Sequence, residues 1–177
     1  MTGRVKLATA VAVAASGVVA ATAALADGGG DLRERLSGYE EVPAVSTEGN
    51  GRFQARVASG RAEIAYRLRY RDLQGGVTQA HIHFGQRAVN GGISVFLCSN
   101  LGNGPMGTQA CPPAPATIEG TITAEDVGGP SVQGIAAGEF AELARAIDAG
   151  MTYVNVHSTL FPSGEIRAQL EPRDRGR

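Results

Sequence analysis

The chain of 177 residues has no tryptophan, two cysteines, three histidines and a single lysine, Lys6, and aromatic residues make up only 5% of it. Two cysteines without a Cys-x-x-Cys pair do not make a cysteine zinc site. No Gly-x-Ser-x-Gly occurs, so a nucleophile elbow of the hydrolase type is absent. No D-x-[DN]-x-[DN]-G run occurs, so a calcium loop of the EF-hand type is absent as well. Charge is nearly balanced, with 16 basic and 17 acidic residues well mixed along the sequence. That pattern leaves no electrostatic footprint for nucleic acid or for an anionic membrane.

Long apolar runs are confined to the N-terminus. Arg4 and Lys6 precede Leu7 to Leu25, a stretch of mostly small apolar residues, and Ala24-Leu25-Ala26 has the small-x-small form of a cleavage site. A membrane anchor is the competing reading, because the run approaches the roughly 20 residues that span a bilayer. Its weak hydrophobicity and the Asp27-Gly28-Gly29-Gly30 that follows favour a cleaved signal peptide over residues 1–26. No Arg-Arg pair precedes the run, which points to general export. Cleavage removes Arg4 and Lys6 and no acid, so the net charge moves from −1 to −3. The protein is then expected to be secreted, periplasmic or associated with the cell surface, with no stable membrane insertion.

In an exported chain Cys98 and Cys111 are expected to pair. The loop between them holds Gly102, Gly104, Pro105 and Gly107, with Pro112 and Pro113 directly after it, and has little apolar surface to hold it down. Closing a loop of this length stabilises by about 3 kcal/mol in the chain-entropy account.

The mature chain reads as mostly β. Phe53, Ala55 and Val57 alternate with Arg52, Gln54 and Arg56; Ala62, Ile64, Tyr66, Leu68 and Tyr70 alternate with Glu63, Arg67, Arg69 and Arg71. Arg67, Arg69 and Arg71 read as the solvated outer face of an antiparallel sheet, since no aromatic residue interleaves among them for base stacking. Val77–Phe84, Ile93–Leu97, Ala116–Ile122, Met151–His157 and Glu165–Leu170 supply further strands. One helix is expected near residues 139–149, where Phe140, Leu143, Ala144 and Ile147 keep helical spacing and Gly150 can cap the C-terminus. Short strands, glycine-rich turns and one late helix argue for a two-sheet sandwich or flattened barrel.

All three histidines fall on two of these strands. His81 and His83, two apart, share one face about 7 Å apart, with Ile82 turned to the core. His157 ends Tyr153-Val154-Asn155-Val156-His157. Two arrangements remain open for them. One is a mononuclear metal site of three imidazoles, which suits copper or zinc, with water or a carboxylate in the fourth position. The other is a metal-free hydrogen-bonded cluster with Asn155, Glu165, Arg167 and Gln169, whose strand parities place them on the same polar face. Within it Glu165 and Arg167 are expected to form an orienting salt bridge. Ser158 points away from His157, so no serine nucleophile is assembled, and Glu40 and Glu41 beside Val42-Pro43 are expected to be exposed.

Four spaced segments carry a family resemblance: Leu36-Ser37-Gly38-Tyr39-Glu40-Glu41-Val42-Pro43, Ala80-His81-Ile82-His83, Tyr153-Val154-Asn155-Val156-His157-Ser158 and Ser163-Gly164-Glu165-Ile166-Arg167-Ala168-Gln169-Leu170. In this order they resemble the CHRD domain, the module named from the extracellular protein chordin. The resemblance covers residues 36–170, leaving 27–35 as a flexible N-terminal segment and 171–177 as a tail. It implies an antiparallel Greek-key β-sandwich related to copper–zinc superoxide dismutase. In that enzyme a His-x-His pair and a later histidine bind copper, and a fourth histidine bridges to zinc. His81, His83 and His157 resemble the pair and the later ligand, but no fourth histidine exists, so a two-metal dismutase centre is excluded by counting. The resemblance implies a secreted, non-enzymatic module for binding or extracellular structure, with no catalytic residues, no required cofactor and a protein or surface component as partner. The alternative is a copper- or zinc-binding protein with weak redox activity.

Overall fold

The computed structural model describes residues 31–57 and 63–171. The apolar N-terminal run, its cleavage site and the tail from residue 172 lie outside the described residues. Eight strands are found there: β1 (Asp31–Ser37), β2 (Asn50–Val57), β3 (Ile64–Arg71), β4 (Val77–Phe84), β5 (Gly92–Ser99), β6 (Ala116–Ile122), β7 (Thr152–Ser158) and β8 (Ile166–Leu170). They form one antiparallel sheet in the order β5-β4-β7-β8-β1-β2-β3-β6. The chain leaves β3 to start the β4–β5 hairpin and returns to lay β6 beside β3, while β7 comes back beside β4. These crossovers give the Greek-key connectivity.

The sheet curls until its two edges, β5 and β6, approach each other, so the molecule is a nearly closed barrel rather than two separate sheets. The seam is fastened covalently by Cys98–Cys111, which links β5 to the segment leading into β6. It is also crossed by a hydrogen bond from the Tyr66 hydroxyl to the Leu97 carbonyl at 3.2 Å. Period-two alternation decides what fills the barrel. Leu32, Phe53, Leu68, Ile82, Val95, Ile118, Val154 and Ile166 all turn inward and are buried in one continuous core.

The helix α1 (Phe140–Asp148) adds Phe140, Leu143, Ala144 and Ile147 to that core. Glu142 pairs with Arg145 on its outer side. Gly150, at φ +70°, ends it: the Gly150 amide donates to the Ile147 carbonyl and the Met151 amide to the Ala146 carbonyl. This is the left-handed cap that favours glycine, and it launches the chain directly into β7.

Three expectations are corrected. The N-terminal segment expected to be flexible through residue 35 enters the sheet at Asp31, because Leu32 and Leu36 sit at core parity and pair along β2. Glu41 is buried, not exposed, while Glu40 stays at the surface and pairs with Arg87 at 2.6 Å. The Glu165–Arg167 salt bridge does not form among the described residues. Glu165 instead accepts from the Thr47 hydroxyl and the Gln74 amide, both at 2.7 Å. Arg167 donates to the Val89 carbonyl at 2.9 Å and to Asn90 Oδ1 at 3.2 Å.

Candidate metal centre

The polar face of β4, β7 and β8 points out of the barrel. Register sets His81 opposite Asn155 and Asn155 opposite Arg167; His83 lies opposite Tyr153 and Tyr153 opposite Gln169. His157 stands one rung along from Asn155 on the same face, within the diagonal reach of cross-strand neighbours. All of these side chains are buried, and His81 is wholly so. The burial comes from loops laid over the sheet.

The 85–91 loop forms most of this roof. Arg167 holds it through the Val89 carbonyl and Asn90, and Asn90 in turn donates to the Val42 carbonyl at 3.0 Å. The roof leaves no room for a side chain at Gly91, where a Cβ would lie 1.7 Å from the Phe84 carbonyl oxygen. Beneath it the His83 ring stacks on Tyr153 with centroids 4.6 Å apart, and the Arg167 guanidinium carbon sits 3.4 Å from the centre of the same tyrosine ring.

The hydrogen bonds fix two tautomers. His83 Nδ1 lies 3.0 Å from the Gly91 carbonyl and His157 Nδ1 lies 3.0 Å from the Pro162 carbonyl. A carbonyl only accepts, so both Nδ1 atoms carry the proton and both Nε2 atoms present a lone pair. His81 Nδ1 is 3.1 Å from His157 Nε2 and donates its proton to that lone pair, which leaves His81 Nε2 bare. His81 Nε2 and His83 Nε2 are buried and have no hydrogen-bond partner. Buried polar atoms of this kind are rare and call for a specific explanation.

One nitrogen from each histidine lies within 4.8 Å of the other two. A point no farther than about 2.8 Å from all three therefore exists, and Zn–N bonds of about 2.0–2.1 Å are within small rotamer adjustments of it. The rings are also held neutral. Burial, then the neighbouring imidazoles, push His81 down to about 3. Burial pushes His83 down to about 4, against the Gly91 hydrogen bond, and lowers His157 against the Pro162 hydrogen bond. Neutral imidazole is the form that ligates a metal. Two of the rings carry the outer-shell carbonyl hydrogen bond that orients metal-binding histidines.

Of the expected polar cluster, Asn155 and Arg167 lie beside the triad, with the Asn155 side-chain amide 3.0 Å from His157 Nε2. Glu165 and Gln169 serve elsewhere. Gln169 ties the Gly85 and Gly150 carbonyls together, at 3.0 and 2.8 Å. Sequence reasoning passed over Tyr153 and misread Glu41. Tyr153 had a legible signal, because it alternates with Asn155 and His157 on one face. Glu41 had none. Its carboxylate rests where Gly164 lacks a side chain: a Cβ there would stand 2.4 Å from Glu41 Oε1. Burial raises Glu41 to about 7, opposed by the charge of Arg167 and by Asn155.

The family model of the CHRD domain matches residues 32–170. The chain belongs to the CHRD domain family. No curated protein and no solved structure matches it. The CHRD domain here begins within β1 and ends with β8, so the match and the barrel agree in their limits to within one residue. Its disulfide fits an oxidising, extracellular setting. None of its described helices is long and apolar enough to cross a membrane.

Proposed function

We propose that this CHRD domain is an exported, non-enzymatic binding module that holds one copper or zinc ion with His81, His83 and His157. The observation that carries the reading is the convergence of three neutral imidazoles, one nitrogen of each within 4.8 Å of the others, with two Nδ1 atoms tied to backbone carbonyls. Three nitrogen ligands suit either metal, and water or a carboxylate completes the set. Bound copper would also supply a one-electron couple, the basis for weak redox activity. The protein's own contribution is orientation: Gly91 and Pro162 fix the ring tautomers, Tyr153 braces His83, and the loop roof keeps water away.

Nothing in the polar face favours hydrolysis. The Ser158 hydroxyl accepts from the Phe161 amide and His157 is engaged with Pro162 and His81. The partner in the extracellular space, a protein or a surface component, would dock on the module independently of the ion.

The test is metal analysis and calorimetric titration of tag-free protein with Cu²⁺ and Zn²⁺. One equivalent should bind, and His81→Ala, His83→Ala and His157→Ala should each weaken binding by about a hundredfold or more. Absence of stoichiometric binding in the folded wild type would overturn the reading, and the triad would then be a hydrogen-bonded brace of the barrel.

A further inference from the structure

The outer face of β1, β2 and β3 carries seven arginines, and they divide into two groups. Four have partners. Arg33 and Arg56 lie 3.5 and 3.0 Å from Asp31, Arg67 lies 2.6 Å from Glu119, and Arg71 donates to Asn50 Oδ1 at 2.9 Å. The other three are Arg35, Arg52 and Arg69. Register places Arg35 directly opposite Arg52 and Arg52 directly opposite Arg69, so they stand in one row across three strands. All three are exposed, and none has an ion pair or hydrogen bond among the described residues. Like charges in directly opposed positions destabilise a sheet. The row persists on a chain whose net charge is −1, so a general excess of base does not account for it.

We propose that this row binds a linear acidic polysaccharide through its carboxylates. Strands are spaced about 4.8 Å apart, so the three guanidinium groups repeat along a line about 10 Å long. That matches a polymer with anionic groups in series better than a single small anion. Guanidinium forks pair with carboxylates in two-point fashion. The row lines an open groove of about 850 Å³, and Ser37, Gln54 and Thr117 line the same groove with neutral hydroxyl and amide groups suited to sugar hydroxyls. Base stacking has no platform here, because Phe53, Tyr66 and Tyr70 on these strands face the core. A groove also receives a single chain more readily than the plane of a lipid surface. The inference does not depend on the metal, since the row and the histidines lie on different parts of the sheet.

The probe is an alginate oligosaccharide of defined length, titrated into the exported protein beside a neutral dextran of equal length. Alginate should bind at low salt, dextran should not, and raising the salt to about 0.3 M should weaken binding by about tenfold or more. Arg52→Gln should weaken binding by about tenfold, whereas Arg67→Gln, whose arginine already has Glu119, should change it by less than about twofold. Because Arg52→Gln also relieves repulsion, its melting temperature should equal or exceed that of the wild type, which separates lost contact from lost fold. Equal binding of alginate and dextran would overturn the proposal. So would unchanged alginate binding in the triple variant Arg35→Gln, Arg52→Gln, Arg69→Gln. Tighter row-dependent binding of a single-stranded oligonucleotide or of phosphatidylglycerol vesicles would overturn it as well.

Discussion

On the outer face of β4, β7 and β8, His81, Asn155 and Arg167 stand in one cross-strand row and all are buried. On the outer face of β1, β2 and β3, Arg35, Arg52 and Arg69 stand in an equivalent row and all are exposed. Both rows arise from the same period-two rule, which turns apolar side chains into the barrel and polar ones out. What separates them is the roof. The 85–91 loop is pinned over the first face by Arg167, Asn90 and the His83–Gly91 hydrogen bond, and no described segment covers the second. Under the roof the histidines lose their charge and keep lone pairs. In the open, the arginines keep both charge and solvent.

Acid should expose this contrast most strongly. In the metal-free protein His81 and His83 fall from 6.5 to about 3 and about 4 on folding, so below 6.5 the unfolded chain takes up protons that the folded one refuses. Stability is then present above pH 6.5 and is lost as pH falls toward 4, by up to about 1.4 kcal/mol per pH unit for each histidine. Glu41 acts in the opposite sense. Its folded value is raised to about 7 from 4.5, so its contribution is full below 4.5 and is lost as pH rises through 7. Chemical denaturation across pH 4 to 8 should show a net loss toward acid, and Glu41→Gln should steepen that loss while raising stability at pH 8. A flat profile would mean that the roof does not keep water from the rings.

The next effect concerns the packing under the roof. Gly164, at φ +132°, leaves the space that the Glu41 carboxylate fills. Gly164→Val should cost about 3–4 kcal/mol through backbone strain and overpacking, read as a lower denaturant midpoint. A cost under about 1 kcal/mol would show that Glu41 can leave its site freely.

The seam between the two faces comes third. Cys98→Ser with Cys111→Ser should cost about 3 kcal/mol and speed amide exchange in the 98–111 loop and the edges of β5 and β6. Protection in β4 and β7 should persist, because their ladder is independent of the bridge. Uniform loss of protection would tie the histidine triad to the seam.

The smallest effect belongs to the open face. Arg67→Gln breaks an exposed pair with Glu119 and should shift stability by no more than about 0.5 kcal/mol. A larger loss would mark this surface as covered in solution.

Much of this was legible because alternation is a local signal. Val77–Phe84 and Ala116–Ile122 were readable to the residue, and α1 falls within one residue of its expected limits at each end. β1 was missed because four of the five residues over 31–35 are charged, and only Leu32 among them marks the core side. Glu41 was misread because two adjacent acids beside a proline look like surface, and the space at Gly164 that receives one of them lies more than a hundred residues away.

By itself the sequence determined seven of the eight strands, their inward and outward faces, the pairing of its two cysteines and the common direction of His81 and His83. Each follows from a period of two, from composition, or from short spacing along the chain. Tertiary structure alone decided that the sheet curls into a nearly closed barrel, that Arg167 holds a loop and not Glu165, and that His157 comes within hydrogen-bonding reach of His81. It also decided that one polar row is roofed and the other left bare. These outcomes depend on register and on loops meeting across 70 or more residues of intervening chain, and local alternation carries no information about such encounters.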